Sequence, residues 1–303
     1  MHKIIPNAIV YKAELPTAAQ LAKHLAELPY APIGETMLSR PSFVPNKISN
    51  ELVTEFNGGF AFHLRYDEKI LPKAIVKAKA AERIAAIEER NGGRMKKIER
   101  IAIYEQVHVE LAKTALVKTA IIPAFYRTND QMLIVATGSK SLANTLVHYL
   151  IHVVGSVKTT TINISDIKNG LTTRLKKHLV DGGAFEGFVV GTTVALKNGG
   201  QKVSYSLSNL DTASQGLIEA IDKGFQVERL ALEYNDVEFK LTSDFHFKAV
   251  RFDDVESDDD ALDAVAAWQH DASVQTLQFT SALNELCNLL GYQPEEDGEQ
   301  ASA

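Results

Sequence analysis

Two helical segments joined by a short glycine turn are the sequence feature that most constrains this fold. Pro72 stands where a helix takes its first residue, and the pattern from Lys73 to Arg90 is helical. Asn91-Gly92-Gly93 ends this helix, and a second helix is predicted from Arg94 to about Val117. Helices joined by so short a turn must lie antiparallel. We therefore expect a long helical hairpin, whose first arm spans about 27 Å at 1.5 Å per residue.

Each predicted helix of the hairpin carries an apolar stripe that would face its partner or the flanking sheet. The stripe positions are Val76, Ala80, Ile84 and Ile87 in the first helix, and Ile98, Ile101, Leu111 and Ala115 in the second.

The hairpin is also where positive charge is concentrated. Residues 73–118 hold eleven Lys or Arg and six Glu, although the net charge of the whole chain is −6. Residues 253–263 hold seven acids and no base, and the tail from Gln293 holds four acids. A field segregated in this way can steer a polyanion to one surface. An ordinary solvated helical surface has the same composition, and composition alone favours that simpler interpretation.

Outside the hairpin, strand and helix signals do not alternate regularly. Asn57-Gly58-Gly59 and Asn198-Gly199-Gly200 are typical of strand hairpins, and residues 226–252 have the pattern of a meander. Residues 31–50 have the composition of a loop, and Val274–Phe279 has that of a strand. The sequence predicts an α+β fold of antiparallel hairpins and meanders with packed helices and an inserted long helical hairpin, rather than a doubly wound parallel sheet.

We divide the chain into four parts on this basis. Residues 1–71 form an N-terminal α/β part of the core, 72–120 the basic hairpin, 121–292 the remainder of the core, and 293–303 a disordered acidic tail. Cys287 is the single cysteine, which excludes an internal disulfide, and its apolar helical context predicts a core residue. No leader or membrane segment is expected, so we predict a soluble, cytoplasmic protein.

Motifs for catalysis and metal binding are weak. His148 and His152 lie four apart in a predicted helix, but Tyr149 stands where a metalloprotease has glutamate. Ser139 interrupts the glycine-lysine pair of a phosphate loop, and the acids from Asp253 lack the glycine and glutamate of an EF-hand. We predict no enzyme, no cofactor and no metal. A metal-dependent enzyme that uses the two histidines is the weakest alternative.

Read in order, several segments resemble the RdgC family of bacterial recombination-associated proteins. The resemblance covers nearly the whole chain, and it is carried by the collinearity of motifs that are individually weak. The matching segments are Glu68-Lys69-Ile70-Leu71-Pro72, Ile122-Pro123-Ala124-Phe125-Tyr126-Arg127, Leu133-Ile134-Val135, Ser139-Lys140-Ser141 with the helix to Gly155-Ser156, Leu171-Thr172 to Gly183, Gly187-Phe188, Ile218-Glu219-Ala220, Val227 to Leu232, and Thr280 to Gly291.

This resemblance implies a homodimer closed into a ring, which binds double-stranded DNA without sequence preference through a positively charged hole. It also implies a nucleoid-associated role in countering recombinase loading, and no enzymatic activity. Phe125 matches the family's aromatic residue at the dimer interface; an ordinary core phenylalanine is the alternative interpretation of this residue. Two departures remove positive charge: Ala124 follows Pro123 where the family has arginine, and the basic residues ahead of Asp211 are replaced.

Charge and resemblance together predict that lysines and arginines of the hairpin and the following strand bind DNA phosphates. The candidate residues are Lys73, Lys77, Lys79, Arg83, Arg90, Arg94, Lys96, Lys97, Arg100, Lys118 and Arg127. Some of them could instead pair with neighbouring glutamates. The alternative function is a homo-oligomeric interaction module whose hairpin docks a protein partner.

Overall fold

The chain forms an α+β structure built on one large antiparallel sheet. The computed structural model describes residues 4–155, 157–161, 167–206, 210–253 and 263–291. The strands are β1 Asn7–Ala13, β2 Ser39–Val44, β3 Val53–Phe56, β4 Gly59–Lys69, β5 Val117–Arg127, β6 Met132–Val135, β7 Thr159–Thr161, β8 Val189–Asn198, β9 Gln201–Ser206, β10 Gln226–Tyr234, β11 Val237–Thr242 and β12 Phe247–Phe252. The helices are α1 Ala18–Leu25, α2 Lys73–Asn91, α3 Lys97–Thr114, α4 Lys140–Val154, α5 Ile167–Asp181, α6 Leu210–Asp222 and α7 Ala264–Leu290.

The N-terminal strand lies in the middle of the sheet. The strand order is β2-β4-β5-β6-β1-β12-β11-β10-β8-β9, with β3 paired to β4 and β7 paired to β1. On one side of β1, Ile9 pairs with Val135 of β6. On the other side, the ladder to β12 consists of Asn7 with Lys248 and Ala8 with Phe247. This short ladder joins the two halves of the sheet.

Alternation along the strands divides the buried side chains between two cores. In β1, Val10 belongs to one core, whereas Ile9 and Tyr11 belong to the other, as the two-residue period of a strand requires. The first core includes Phe247 and Phe279, whose ring centroids are 5.0 Å apart. Among the described helices, none is long and apolar enough to cross a membrane.

Several local predictions are confirmed by the structure. The α+β class, the antiparallel strand hairpins and the meander β10–β12 are present. Ser139 accepts a hydrogen bond from the backbone N–H of Leu142 and caps α4, so the glycine-serine-lysine segment is a helix start. The proposed domain division stays a prediction, and the acidic tail and the acids at 254–262 lie outside the described residues.

The predicted strand Val274–Phe279 is wrong, because these residues belong to the single helix α7. Buried polar residues hid its helical period: Gln275 and Thr276 are almost fully buried beside Phe279. The Thr276 hydroxyl donates to the carbonyl of Ala272 at 2.7 Å, so a threonine can occupy the core without an unsatisfied group.

Two further boundaries differ from the prediction. The segment 31–50 contains β2, which pairs with β4 along its length, from Ser39 with Glu68 to Val44 with His63. The second hairpin helix ends at Thr114, because β5 begins at Val117. Strand pairing with distant residues decides both points, and local propensity does not contain that information.

The helical assignment of α7 can be tested by comparing two residues that a strand would place on the same face. Phe279 is 1% exposed and Leu277 is 56% exposed. We expect Phe279→Ala to lower the free energy of unfolding by about 3–5 kcal/mol. Leu277→Ala should lower it by about 0.5 kcal/mol or less, as at other surface sites. Urea denaturation of both variants measures the difference, and equal losses would contradict the helix.

Candidate nucleic-acid interface

The helical hairpin is anchored at both ends to one pair of strands. β4 and β5 pair from Gly59 with Arg127 to Lys69 with Val117, and the N–H of Ile70 donates to the carbonyl of Leu116 at 2.8 Å. The chain leaves the sheet into α2 and returns from α3 at the same place. The two helices therefore begin and end at one end of this strand pair, with a short turn between them.

Local signals in the sequence fix the turn between the arms. Gly92 ends α2 in the left-handed conformation, with a φ of 66°, and its N–H donates to the carbonyl of Glu89. The N–H of Met95 donates to the Glu88 carboxylate at 2.9 Å, and that of Lys96 donates to Glu99 at 2.8 Å. These two glutamates stabilise the turn and the start of α3.

A small core and one ion pair connect the two arms. Val76, Ala80 and Val107 form a separate cluster of buried residues. Arg83 of α2 binds Glu110 of α3 through two hydrogen bonds, with Nη1–Oε1 3.0 Å and Nη2–Oε2 2.8 Å. The hydrogen bond from Arg83 lowers the pKa of Glu110.

The apolar stripe of α3 is only partly where the sequence predicted it, since Leu111 packs against the hairpin cluster but two of the other predicted positions are exposed. Ile98 is 81% exposed and Ile101 is 48% exposed, whereas Val107 and Ala112 are buried. The prediction for α2 is better, since Val76, Ala80 and Ile84 are buried. Periodicity shows which side chains share a face, but it does not show whether another element covers that face.

Two of the cations predicted to bind phosphate form ion pairs with glutamates of the hairpin. Lys79 contacts Glu82 at 2.8 Å, and Arg83 is held by Glu110. Both cations would have to exchange a carboxylate for a phosphate. We therefore regard them as structural residues of the hairpin.

Eight of the eleven predicted residues are exposed and make no ion pair within the part of the chain that the structure describes. Five of them surround the glycine turn, two lie in the first turns of α2, and one begins β5. These residues are Arg90, Arg94, Lys96, Lys97 and Arg100 at the turn, Lys73 and Lys77 in α2, and Lys118 in β5. Lys118 is opposite Glu68 in the strand register. We call this set the basic arm surface.

Arg127 occupies a different environment from the other candidates. It is 7% exposed, its Nε lies 3.3 Å from Asp130 Oδ2, and its Nη1 lies 3.5 Å from the carbonyl oxygen of Asn57. Gly58 has a φ of 92°, which favours glycine, and a Cβ there would also lie 2.4 Å from the same guanidinium. Burial and pairing argue against a phosphate contact by Arg127.

Phe125, the predicted dimer-interface residue, lies inside the protomer. It is 1% exposed, and its ring centroid lies 6.3 Å from those of both Phe56 and Trp268. A side chain enclosed in this way packs against its own chain. The structure thus gives Phe125 a core position, and a contact with a partner would require this cluster to open.

The other chemical candidates are placed as follows. His148 and His152 are exposed on α4, and no group of three or more His, Cys, Asp or Glu that could hold a metal ion occurs among the described residues. Cys287 is buried in α7, and burial raises the pKa of its thiol to about 11. The thiol is therefore protonated at neutral pH and packs as a small core residue.

The buried position of Arg127 generates a prediction that separates structure from DNA contact. Arg127→Gln leaves Asp130 without its cation, so the free energy of unfolding should fall by about 1–3 kcal/mol. The affinity of the folded variant for duplex DNA should stay within about twofold of the wild type, since no phosphate contact is lost. Thermal denaturation and a mobility-shift assay measure the two effects. Weaker binding at unchanged stability would restore Arg127 to the interface.

Comparison with known proteins identifies the family of this chain. A family model described as "Putative exonuclease, RdgC" matches residues 4–293. Proteins named "Recombination-associated protein RdgC" are similar along their length. That of Pseudoalteromonas atlantica (strain T6c / ATCC BAA-1087) is 25% identical over 90% of this chain and 93% of its own. That of Neisseria gonorrhoeae (strain NCCP11945) is 26% identical over 92% and 95%. The chain therefore belongs to the RdgC family.

Proposed function

We propose that this protein binds double-stranded DNA without sequence preference through the basic arm surface. The observation that carries the proposal is the set of eight exposed cations without a carboxylate partner among the described residues, on an arm anchored to the sheet. Lysine and arginine neutralise phosphates and release condensed counterions, which supplies affinity independently of base sequence. Contacts of this kind position a protein on DNA and read no bases.

The rest of the molecule supports this choice of surface. The chain has a net charge of −6, whereas residues 73–118 carry an excess of five positive charges. A polyanion is therefore attracted to the arm and repelled by the acidic remainder, which orients the encounter. For about six phosphate contacts, the log–log slope of affinity against salt should be near −5.

Charge reversal at the turn tests the proposal. We expect Arg94→Glu, Lys97→Glu and Arg100→Glu together to weaken binding to every duplex by at least about 100-fold at 0.1 M salt, and to reduce the slope by about 2.7. A glutamate in the first turn of α3 is compatible with the helix dipole, so folding should be retained. Mobility-shift assays on unrelated duplexes at several salt concentrations give both quantities.

The matched control reverses three exposed lysines elsewhere. Lys23→Glu, Lys47→Glu and Lys177→Glu change the net charge of the protein equally but leave the arm intact. If the two triple variants weaken binding alike, net charge alone governs affinity and the arm is not the contact surface. A strong preference of the wild type for one sequence would also contradict the proposal.

We propose in addition that the protein is a homodimer that closes into a ring around DNA. Apolar side chains are exposed at the root of the hairpin: Ile70 is 51%, Leu116 77% and Val117 44% exposed. Leu38 is 44% exposed, and its carbonyl accepts from the N–H of Lys69 at 2.8 Å, so it lies in the same region. Covering such a patch is favourable, and a two-fold contact covers it on both copies.

Light scattering tests the dimer. The wild type should have about twice the 33.3 kDa mass of the chain at micromolar concentration. Leu116→Glu should shift the mass toward the monomer without a large change in melting temperature, because the side chain is exposed in the protomer. Val180→Glu, at a residue that is 62% exposed on α5, is the control and should remain dimeric. A monomeric wild type would refute the dimer.

We propose a cytoplasmic, nucleoid-associated role in which occupation of duplex DNA restrains a recombinase. The names of the relatives support the link to recombination. The proposed activity is binding without cleavage. The description of the matching family model includes an exonuclease, and the two are distinguished by incubating labelled duplex with Mg²⁺. We expect the duplex to remain intact.

A second candidate is a module whose hairpin docks a protein partner. Ile98, Ile101 and Val109 are exposed on α3, at 81%, 48% and 42%, and such residues are common in docking surfaces. The two functions differ in the charge-reversal experiment. Docking through apolar contacts predicts that the arm variant and its control bind DNA equally.

A further inference from the structure

A second concentration of unpaired positive charge lies on the other half of the sheet. A cleft of about 500 Å³ is formed where β8, β10 and the turn between β11 and β12 meet. Its cations are Lys197, Arg229 and Lys248. Strand order places β10 five strands away from β5, so the cleft belongs to a different region from the root of the hairpin. No motif in the sequence pointed to this cleft.

Strand register brings the cleft residues together from distant parts of the chain. Lys197 pairs with Gln226, and Arg229 pairs with both Ala195 and Thr242. The register shift between Val227 and Arg229 inserts Glu228 as an additional residue. Because backbone hydrogen bonds set these pairings, the backbone positions of Lys197 and Arg229 are held by strands rather than by loops.

Acidic groups in the cleft do not cancel its positive charge. Glu228 is bound by Lys202 at 2.7 Å, and this hydrogen bond lowers the pKa of its carboxyl, with further contributions from Lys197 and Arg229. The remaining acid is Asp244, which is exposed at the turn. Lys197, Arg229 and Lys248 form no ion pair with any residue that the structure describes.

Lys140 of α4 extends this positive region toward the half-buried imidazole of His246. Burial lowers the pKa of His246, Asp244 raises it, and both Lys140 and Lys248 lower it further. The two lysines thus act on the same imidazole from α4 and β12. Neutral donors also line the cleft, including Thr242 and Ser243. Converging cations with hydroxyl donors are the groups that bind phosphate oxygens in proteins.

We propose that this cleft is a second phosphate-binding site, separate from the basic arm surface, and that its ligand is the backbone of a nucleic acid. The inference rests on the proposed DNA-binding function and extends it. Each protomer then contacts DNA phosphates at two places on its sheet. Lys197, Arg229 and Lys248 neutralise phosphates, while Lys202 pairs with Glu228, one of the two acids that line the cleft.

Neutralising the three cations tests the site in the full-length protein. Lys197→Gln, Arg229→Gln and Lys248→Gln together should weaken duplex binding by at least about 10-fold at 0.1 M salt and reduce the salt slope by about 2–3. The control replaces Lys23, Lys47 and Lys177 by glutamine and should leave affinity and slope unchanged. If the triple variant does not fold, Lys197→Gln alone should reduce the slope by about 0.9, because this side chain is exposed and unpaired.

Comparison with the arm variant separates the two proposals. If the cleft variant binds as the wild type does while the arm variant is weakened, the cleft proposal is wrong and the arm remains the interface. If only the cleft variant is weakened, the cleft is confirmed and the arm proposal is wrong. A wild type that binds no duplex overturns both.

A small phosphate compound distinguishes a backbone site from a site for free anions. If the cleft binds the DNA backbone, millimolar inorganic pyrophosphate should compete only weakly with duplex for the wild type. Pyrophosphate can replace the phosphate contacts in the cleft, whereas a duplex also contacts the basic arm surface. Full displacement of DNA from the arm variant by micromolar pyrophosphate would identify a free-anion site and overturn the backbone assignment.

Discussion

The pairing of β4 with β5 is the constraint on which the rest of the molecule depends. The ladder extends without a break from Gly59 to Lys69, and it places both ends of the helical arm side by side. An insertion of about fifty residues can then be accommodated in the sheet without disturbing its core. The same ladder fixes the place at which the cation-bearing arm is attached to the sheet.

Ion pairing neutralises some cations of this protein and leaves others without a carboxylate partner among the described residues. Glu82 and Glu110 bind Lys79 and Arg83, and Glu228 binds Lys202. These pairs contribute little stability at exposed positions. Their effect is to leave other exposed cations, among them those of the basic arm surface, without a carboxylate partner in the part of the chain that the structure describes. A sequence count of charges cannot distinguish the two groups, because pairing depends on side chains that are brought together by packing.

Local signals were sufficient for the hairpin, the capped helices and the strand turns, since each is specified within a few residues. Gly92 is an example, because only its neighbours decide that the helix ends there. Prediction failed where distant contacts decide the outcome. Gln275 and Thr276 are buried in α7 only because the sheet covers them, and Ile98 is exposed because nothing described lies over it. Arg127 illustrates the same limit for the site, since its burial against Asp130 cannot be inferred from spacing.

The anchoring of the arm also determines how the sheet carries mechanical load. Since α2 and α3 leave from the same end of β4 and β5, tension on the arm pulls both strands in one direction. The hydrogen bonds between β4 and β5 are then not sheared. The force passes instead to the hydrogen bonds of β4 with β2 and of β5 with β6. When the pull lies along the strand axis, the hydrogen bonds of those ladders must break together rather than one at a time. A pull on the arm would therefore meet a stiff support.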